Sequence, residues 1–220
     1  MNSARRRELA GRLLDGYDHG PGAPTEATAR ALAQVESAQA VVLVEGISDQ
    51  AAVETLAARG GWDLAGDRVV VLPVGGAQAF TRFLTELGPR GAGLRLSGLC
   101  DVGEQSVLRR ALASSGLVPA GTRFEMERVG FFICVEDLED ELIRAIGPLR
   151  VTELIESQGD LGSFGSLQRQ PEWRGQPLAP QLRRFLGSGA TRKLRYARLF
   201  SESVDLARLP QPLEALLTYR

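Results

Sequence analysis

The sequence predicts an α/β domain: a mostly parallel, Rossmann-like sheet in the broadest sense with helices on both faces, extended by helices at its two ends. Three observations carry this. Short uninterrupted apolar runs recur through the middle of the chain, helical patterns separate them, and acidic residues follow directly where several runs stop. The 220 residues suffice for one such domain plus a smaller attachment.

Residues 1–38 read as a helical N-terminal arm or lid. Two Ala/Leu/Arg-rich patterns flank the breaker "GYDHGPGAPT", and the second, "EATARALAQVESA", has Thr25 in front as a cap. Residues 39–150 hold the α/β domain. "AVVLV" is the first strand, and "SDQAAVETLAAR" the helix after it, with Ser48 as N-cap. "RVVVLPV" is the second strand, and "AQAFTRFLTELG" a helix closed by Gly88. "LRLSGLC" is the third strand, and "EQSVLRRALASSG" a helix stopped by Gly116. "FFICV" is the fourth, and "EDELIRAIG" starts the next helix. Residues 151–220 form a helical extension with a basic segment. Within it "SQGDLGSFGSLQRQPEWRGQPL" reads as a loop, rich in Gly, Ser, Gln and Pro. "SVDLARLPQPLEALLTYR" then supplies a short closing helix.

Composition narrows the function classes. Apolar residues make up 44% and charged residues 24%, with a net charge of -1. No global field draws the molecule to nucleic acid, so such a partner must be met by local charge. His19 is the only histidine, and Cys100 and Cys134 are the only cysteines. That excludes a zinc cluster of the Cys/His kind and a triad built on His. No signal peptide or membrane span is read, and a cytoplasmic, reduced setting is expected.

The chemistry lies at the strand ends. In an open parallel sheet, ligands bind outside the carboxyl ends of the strands. Glu45 ends the first strand ahead of Gly46, which lets the chain turn sharply. Asp49 falls one helical turn later. Asp101 ends the third strand, with Glu104 a turn on, and "EDLEDE" (Glu136 to Glu141) follows the fourth. Carboxylates so gathered repel one another unless protons or a cation intervene. Mg²⁺ or Mn²⁺ suits oxygen ligands of this kind, and the reaction class is phosphoryl transfer or phosphodiester cleavage. First-turn helix carboxylates also arise simply to complement the helix dipole. Gly75 and Gly76 offer backbone N–H groups to an anion, or else a plain tight turn. Arg183, Arg184, Arg192, Lys193, Arg195 and Arg198 form a basic stretch with no acidic residue among them. It is read as a phosphate-backbone contact or as a solvated helix face, and Tyr196 and Trp173 as residues that stack on bases or simply pack. A nucleotide-binding reading lacks a G-x-G-x-x-G at the first strand–helix junction.

With these motifs in hand, "VVLVEGISD", the "VGG" after the second strand and "LSGLCD" resemble the Toprim domain, in the variant found in the C-terminal region of overcoming-lysogenisation-defect (OLD) nucleases. The resemblance runs over about residues 38 to 216. It implies that Glu45 and Asp101 carry metal, with Asp49 as a further acidic group. "VEDLEDELI" is similar to the family's Leu-Glu-x-x-Leu segment, which implies a metal ligand at Glu139. "RKLRYARLFSESVDLARLP" is similar to its terminal segment, which implies that Lys193 is a catalytic, phosphate-facing lysine. Gly103 stands where the family's second Asp belongs, and Glu104 is the neighbour that could substitute. The resemblance implies a divalent-metal-dependent nuclease or related phosphotransferase acting on DNA or RNA. The alternative is a catalytically degenerate Toprim module that binds nucleic acid or a partner protein. With no Walker-type sequence present, a stand-alone Toprim protein served by a separate ATPase protein is expected.

Overall fold

The computed structural model describes residues 3–15, 26–118 and 122–219. His19 and Thr25 lie outside them. The elements run α1 (Ser3–Asp15), α2 (Glu26–Gln34), β1 (Ala40–Val44), α3 (Ile47–Arg59), β2 (Val69–Pro73), α4 (Phe80–Leu87), β3 (Arg95–Cys100) and α5 (Gln105–Ser114). They continue with α6 (Arg123–Arg128), β4 (Phe131–Ile133), α7 (Leu138–Ile146), α8 (Pro148–Ser157), α9 (Leu161–Gln168), α10 (Leu178–Leu186), α11 (Ala190–Ser203) and α12 (Gln211–Thr218).

The sheet has four strands in the order β2-β1-β3-β4, and every pairing is parallel. The chain steps from β1 to β2 in one direction, then crosses back over β1 to reach β3. Right-handed connections running opposite ways place their helices on opposite faces. Accordingly α3 packs on one face and α4 on the other. The reversal puts a crevice outside the carboxyl ends of β1 and β3, the general ligand position of open α/β sheets.

One core joins Val42, Val44 and Val71 to residues of α3, α7 and α8, and to Phe185, Tyr196, Phe200 and Leu213 of the C-terminal helices. The other joins Val41, Leu43 and Leu72 to Phe80, Phe83, Leu108 and Met126. Alternate residues of one buried strand thus feed opposite cores, as a period of two requires. Leu9, Leu13 and Leu32 belong to the second core, so the described N-terminal helices are packed into the domain. Thr28 fixes α2 by donating to the Pro73 carbonyl at 2.7 Å. Pro73 itself lies on an edge strand, where a missing N–H is tolerated.

Two local readings are corrected. The cap of α3 is Gly46, not Ser48, because the Asp49 carboxylate accepts from the Gly46 N–H at 2.9 Å and starts the helix two residues earlier. The stretch read as a loop contains α9, despite its glycines and serines. Phe164 and Leu167 lie three residues apart on one face and are buried, with Phe164 tilted against Phe185 at 5.2 Å. Tertiary burial outweighs weak helix propensity here.

Gly98 pairs with Leu43 on one side and Phe131 on the other. A Cβ there would meet the Leu43 carbonyl at 2.6 Å and the Phe131 ring at 2.9 Å. Gly98→Ala is expected to destabilise the protein by roughly 1–3 kcal/mol. Urea unfolding should show a lower midpoint at an unchanged slope; an unchanged midpoint would show that the strands can separate without strain.

Candidate metal centre

The parallel register brings Glu45 and Asp101 side by side. Each directly follows its strand, and β1 and β3 are hydrogen-bonded neighbours. Glu45 Oε1 accepts from the Asp101 backbone N–H at 3.0 Å. Asp49 is buried in the first turn of α3, turned back toward this edge by its bond to Gly46. Gly75 and Gly76 both donate their N–H groups to the Glu45 carbonyl at 3.0 Å. Those amides are therefore spent on fixing the backbone of Glu45, so of the two readings of this glycine pair the tight turn holds and the anion cradle is not formed. Both glycines have positive φ, at 82° and 112°, a conformation that side chains disfavour.

From the fourth strand, Val102 N–H bonds the Glu136 carbonyl at 3.1 Å, which ties the two ends together. Asp137 caps α7 by accepting from the Asp140 N–H at 2.8 Å. Glu139 is buried one residue into that helix, and Lys193 of α11 reaches it, with Nζ 3.3 Å from Oε2. The other oxygen of Glu139 is buried without any hydrogen-bond partner. Four separated parts of the chain thus supply Glu45, Asp49, Asp101, Glu139 and Lys193 to one edge of the sheet.

The electrostatics follow from this crowding. Burial, followed by the charges of Glu45, Asp49 and Asp137, pushes Asp101 up to about 8. Burial pushes Asp49 up to about 6, with Glu45 adding to it and Lys193 opposing it. Glu139 rises to about 7 through burial, against the pull of Lys193 and with help from Asp49 and Asp137. Lys193 is held above its ordinary value: burial acts against its charge, but Glu139, Asp49 and Asp101 outweigh that.

Known proteins share this fold. Residues 38–95, which contain β1, Glu45, Asp49 and β2, match the family model described as overcoming lysogenization defect protein-like, TOPRIM domain. The C-terminal region of the Burkholderia pseudomallei OLD protein is similar over 83% of this chain and 96% of its own, with 18% identity and a TM-score of 0.66. The same region of the Xanthomonas campestris pv. campestris OLD protein, phased with platinum, covers 84% of this chain and 92% of its own, with 23% identity and a TM-score of 0.66. The chain has the fold of an OLD-type Toprim region. No curated protein matches its sequence.

Within this Toprim fold, Glu104 ends a 3-10 turn after Asp101, where it is half-buried and its charge acts on Cys100. Gly103 is exposed, with nothing within 4 Å of where its Cβ would be. Among the described residues, no three acidic, His or Cys side chains converge at ligating distance on one point. Glu45, Asp49 and Glu139 each direct an oxygen to an amide or an ammonium instead. The donor set nevertheless fits a hard divalent cation, being all carboxylate, and it includes a buried Glu139 oxygen that lacks any partner.

The sequence marks Asp137 only as one member of the acidic stretch after the fourth strand, yet its charge acts on both Asp101 and Glu139. Its signal was an Asp three residues ahead of Asp140 at a strand–helix junction, the spacing of a cap. The basic stretch is less open than its sequence indicates. Arg183 pairs with Asp137 at 2.5 Å and Glu136 at 3.1 Å, and Arg195 pairs with Asp160. Tyr196 is buried and donates its hydroxyl to Asp160 at 2.9 Å, so it is not a stacking platform for bases. Trp173 packs partly buried against the core.

These raised carboxylates set the sign of a pH effect. Each binds its proton more tightly when folded than when unfolded, where it titrates near pH 4, so the folded state holds more protons between the two values. Stability is then retained in acid and lost as pH rises through the folded values, from about 6 at Asp49 to about 8 at Asp101. With EDTA present, the thermal midpoint is expected to fall between about pH 5 and about pH 9, and Asp101→Asn to remove part of the slope. A midpoint that rises over that interval would contradict the placement of these groups.

Proposed function

We propose that this chain is a divalent-metal-dependent nuclease, cleaving phosphodiesters of DNA or RNA at the carboxyl edge of its sheet. The observation that carries the reading is the contact of Glu45 with the Asp101 amide at the point where the strand order reverses, with Lys193 brought to the same edge. Likeness to OLD C-terminal regions supports it, since Toprim domains generally bind divalent metals.

Glu45 and Asp101 would hold Mg²⁺ or Mn²⁺, with Asp49, Glu139 and Glu104 as the carboxylates nearest in chain or charge. A bound cation would draw charge from a phosphate and lower the pKa of a water molecule. The protein's own residues do the rest. The Gly75 and Gly76 amides lock the backbone that carries Glu45. Gly46 holds Asp49 in its rotamer until a stronger charge competes. Lys193, kept protonated by three carboxylates, places a positive charge where a phosphate dianion would develop.

A second reading, a Toprim module that binds nucleic acid or a partner protein without cleaving, is favoured by one residue. Gly103 leaves the edge one carboxylate short of the motif it resembles. Nothing crowds that position, so Gly103→Asp is expected to fold normally and to tighten Mn²⁺ binding roughly tenfold, or about 1.4 kcal/mol. Isothermal titration would measure it, and unchanged affinity would place position 103 outside the centre.

Cleavage of supercoiled plasmid and of labelled single-stranded RNA in Mg²⁺ or Mn²⁺ tests the main reading. Glu45→Gln is expected to abolish cleavage, and Lys193→Met to slow it on the order of 10²–10³-fold. Cleavage by Glu45→Gln at the wild-type rate, or none by wild type with either metal, would sink the nuclease reading and leave the binding module.

A further inference from the structure

Among α9, α10 and the start of α11 lies a cavity of about 340 Å³, lined in part by Ser163, Ser166, Gln170, Arg184, Ser188 and Arg192. No carboxylate lines it, whereas the adjoining cleft contains Asp137 beside Arg183. Arg192 is held in place there. Its guanidinium lies 4.2 Å from the centroid of Phe185, and Nη1 donates to the Ser188 hydroxyl. Phe185 is itself buried, wedged between Phe164 and Tyr196 at 5.2 and 6.5 Å. The Arg192 Nε is buried and has no hydrogen-bond partner.

Nearby cations differ. Arg183, Lys193 and Arg195 each face a carboxylate, but among the described residues Arg184 and Arg192 face none. The hydroxyls of Ser166 and Ser188 donate to the carbonyls of Gly162 and Phe185, but a fixed guanidinium with an unsatisfied donor, a second unpaired guanidinium, the Ser163 hydroxyl and an amide together complement a phosphate group. Helix α11 links this cavity to the acidic centre, because Arg192 directly precedes Lys193. The two side chains diverge by about 100° around the helix, so they serve neighbouring positions and not one.

We propose that the cavity holds a backbone phosphate of the same nucleic-acid strand whose reacting phosphate lies at Lys193. This rests on the nuclease reading above and adds to it a second anchor on the strand. Phosphate contacts fix register without reading bases, so the anchor sets where along a strand the centre acts, whatever the sequence.

Fluorescence anisotropy of labelled single-stranded and duplex oligonucleotides, in Ca²⁺ and under conditions without cleavage, tests the proposal across a salt series. Arg184→Gln and Arg192→Gln are each expected to weaken binding of every sequence alike and to reduce the slope of log affinity against log salt by about 0.7–0.9. Arg110→Gln, on the opposite face of the sheet, should change neither. Arg184 is exposed and forms no hydrogen bond or ion pair among the described residues, so its variant stays folded and keeps the test decisive. Slopes unmoved in both variants would overturn the anchor, and cleavage still lost in Glu45→Gln would leave the nuclease reading standing. Wild type that neither binds nor cleaves would sink both. Inorganic phosphate that binds Arg192 while oligonucleotide affinity ignores both it and Arg184→Gln would make this a site for a free phosphate compound, and the strand assignment would fall.

Discussion

Asp49 lies close enough to Asp101 and to Glu139 on one edge of the sheet for its charge to raise both, and burial makes all three costly to ionise. Most of the architecture around them answers that repulsion. Parallel pairing of β1 with β3 sets Glu45 beside Asp101, and the carbonyl of Glu45 is gripped by two glycine amides. Asp137 is pulled aside by Arg183. Lys193 brings compensating charge from far along the chain, yet it leaves one Glu139 oxygen unpartnered and the three carboxylates still raised. Charge left to neutralise at this edge is what supports the proposal of a bound cation.

The C-terminal helices explain how that charge is delivered. Helix α11 packs on α3, where Arg59 donates to the carbonyls of Ser201 and Val204 at 2.6 and 2.8 Å. The same packing that buries Tyr196 and Phe200 therefore fixes the position of Lys193 over the end of α3, where Asp49 sits. Core and acidic edge share one helix: its apolar face holds it down, Lys193 reaches the carboxylates, and Arg192 lines the carboxylate-free cavity.

Much of this was legible in the sequence, for reasons that are local. Strands buried on both faces read as continuous apolar runs, so β1 to β4, and the carboxylates that follow β1, β3 and β4, could be placed without coordinates. Glu45 and Asp101 became neighbours as soon as their strands were neighbours. Other features depend on contacts between distant parts of the chain. The Lys193–Glu139 and Arg183–Asp137 pairs join residues far apart in sequence, and a basic stretch that looks unpaired is in fact divided into paired and unpaired members. Helix α9 escaped notice because its composition signals a loop and only burial of Phe164 and Leu167 stabilises it. The Gly75–Gly76 turn carried the right residues for two roles, and only the carbonyl of Glu45 decided between them.

The central claim is that these carboxylates assemble around a divalent ion. Anomalous diffraction from a crystal of the protein soaked in Mn²⁺ tests it most directly. The account predicts an anomalous peak bounded by the carboxylates of Glu45 and Asp101, with the Glu45 side chain turned away from the Asp101 amide it now contacts. An absence of any peak at that edge at saturating Mn²⁺, or a peak only elsewhere on the molecule, would contradict it.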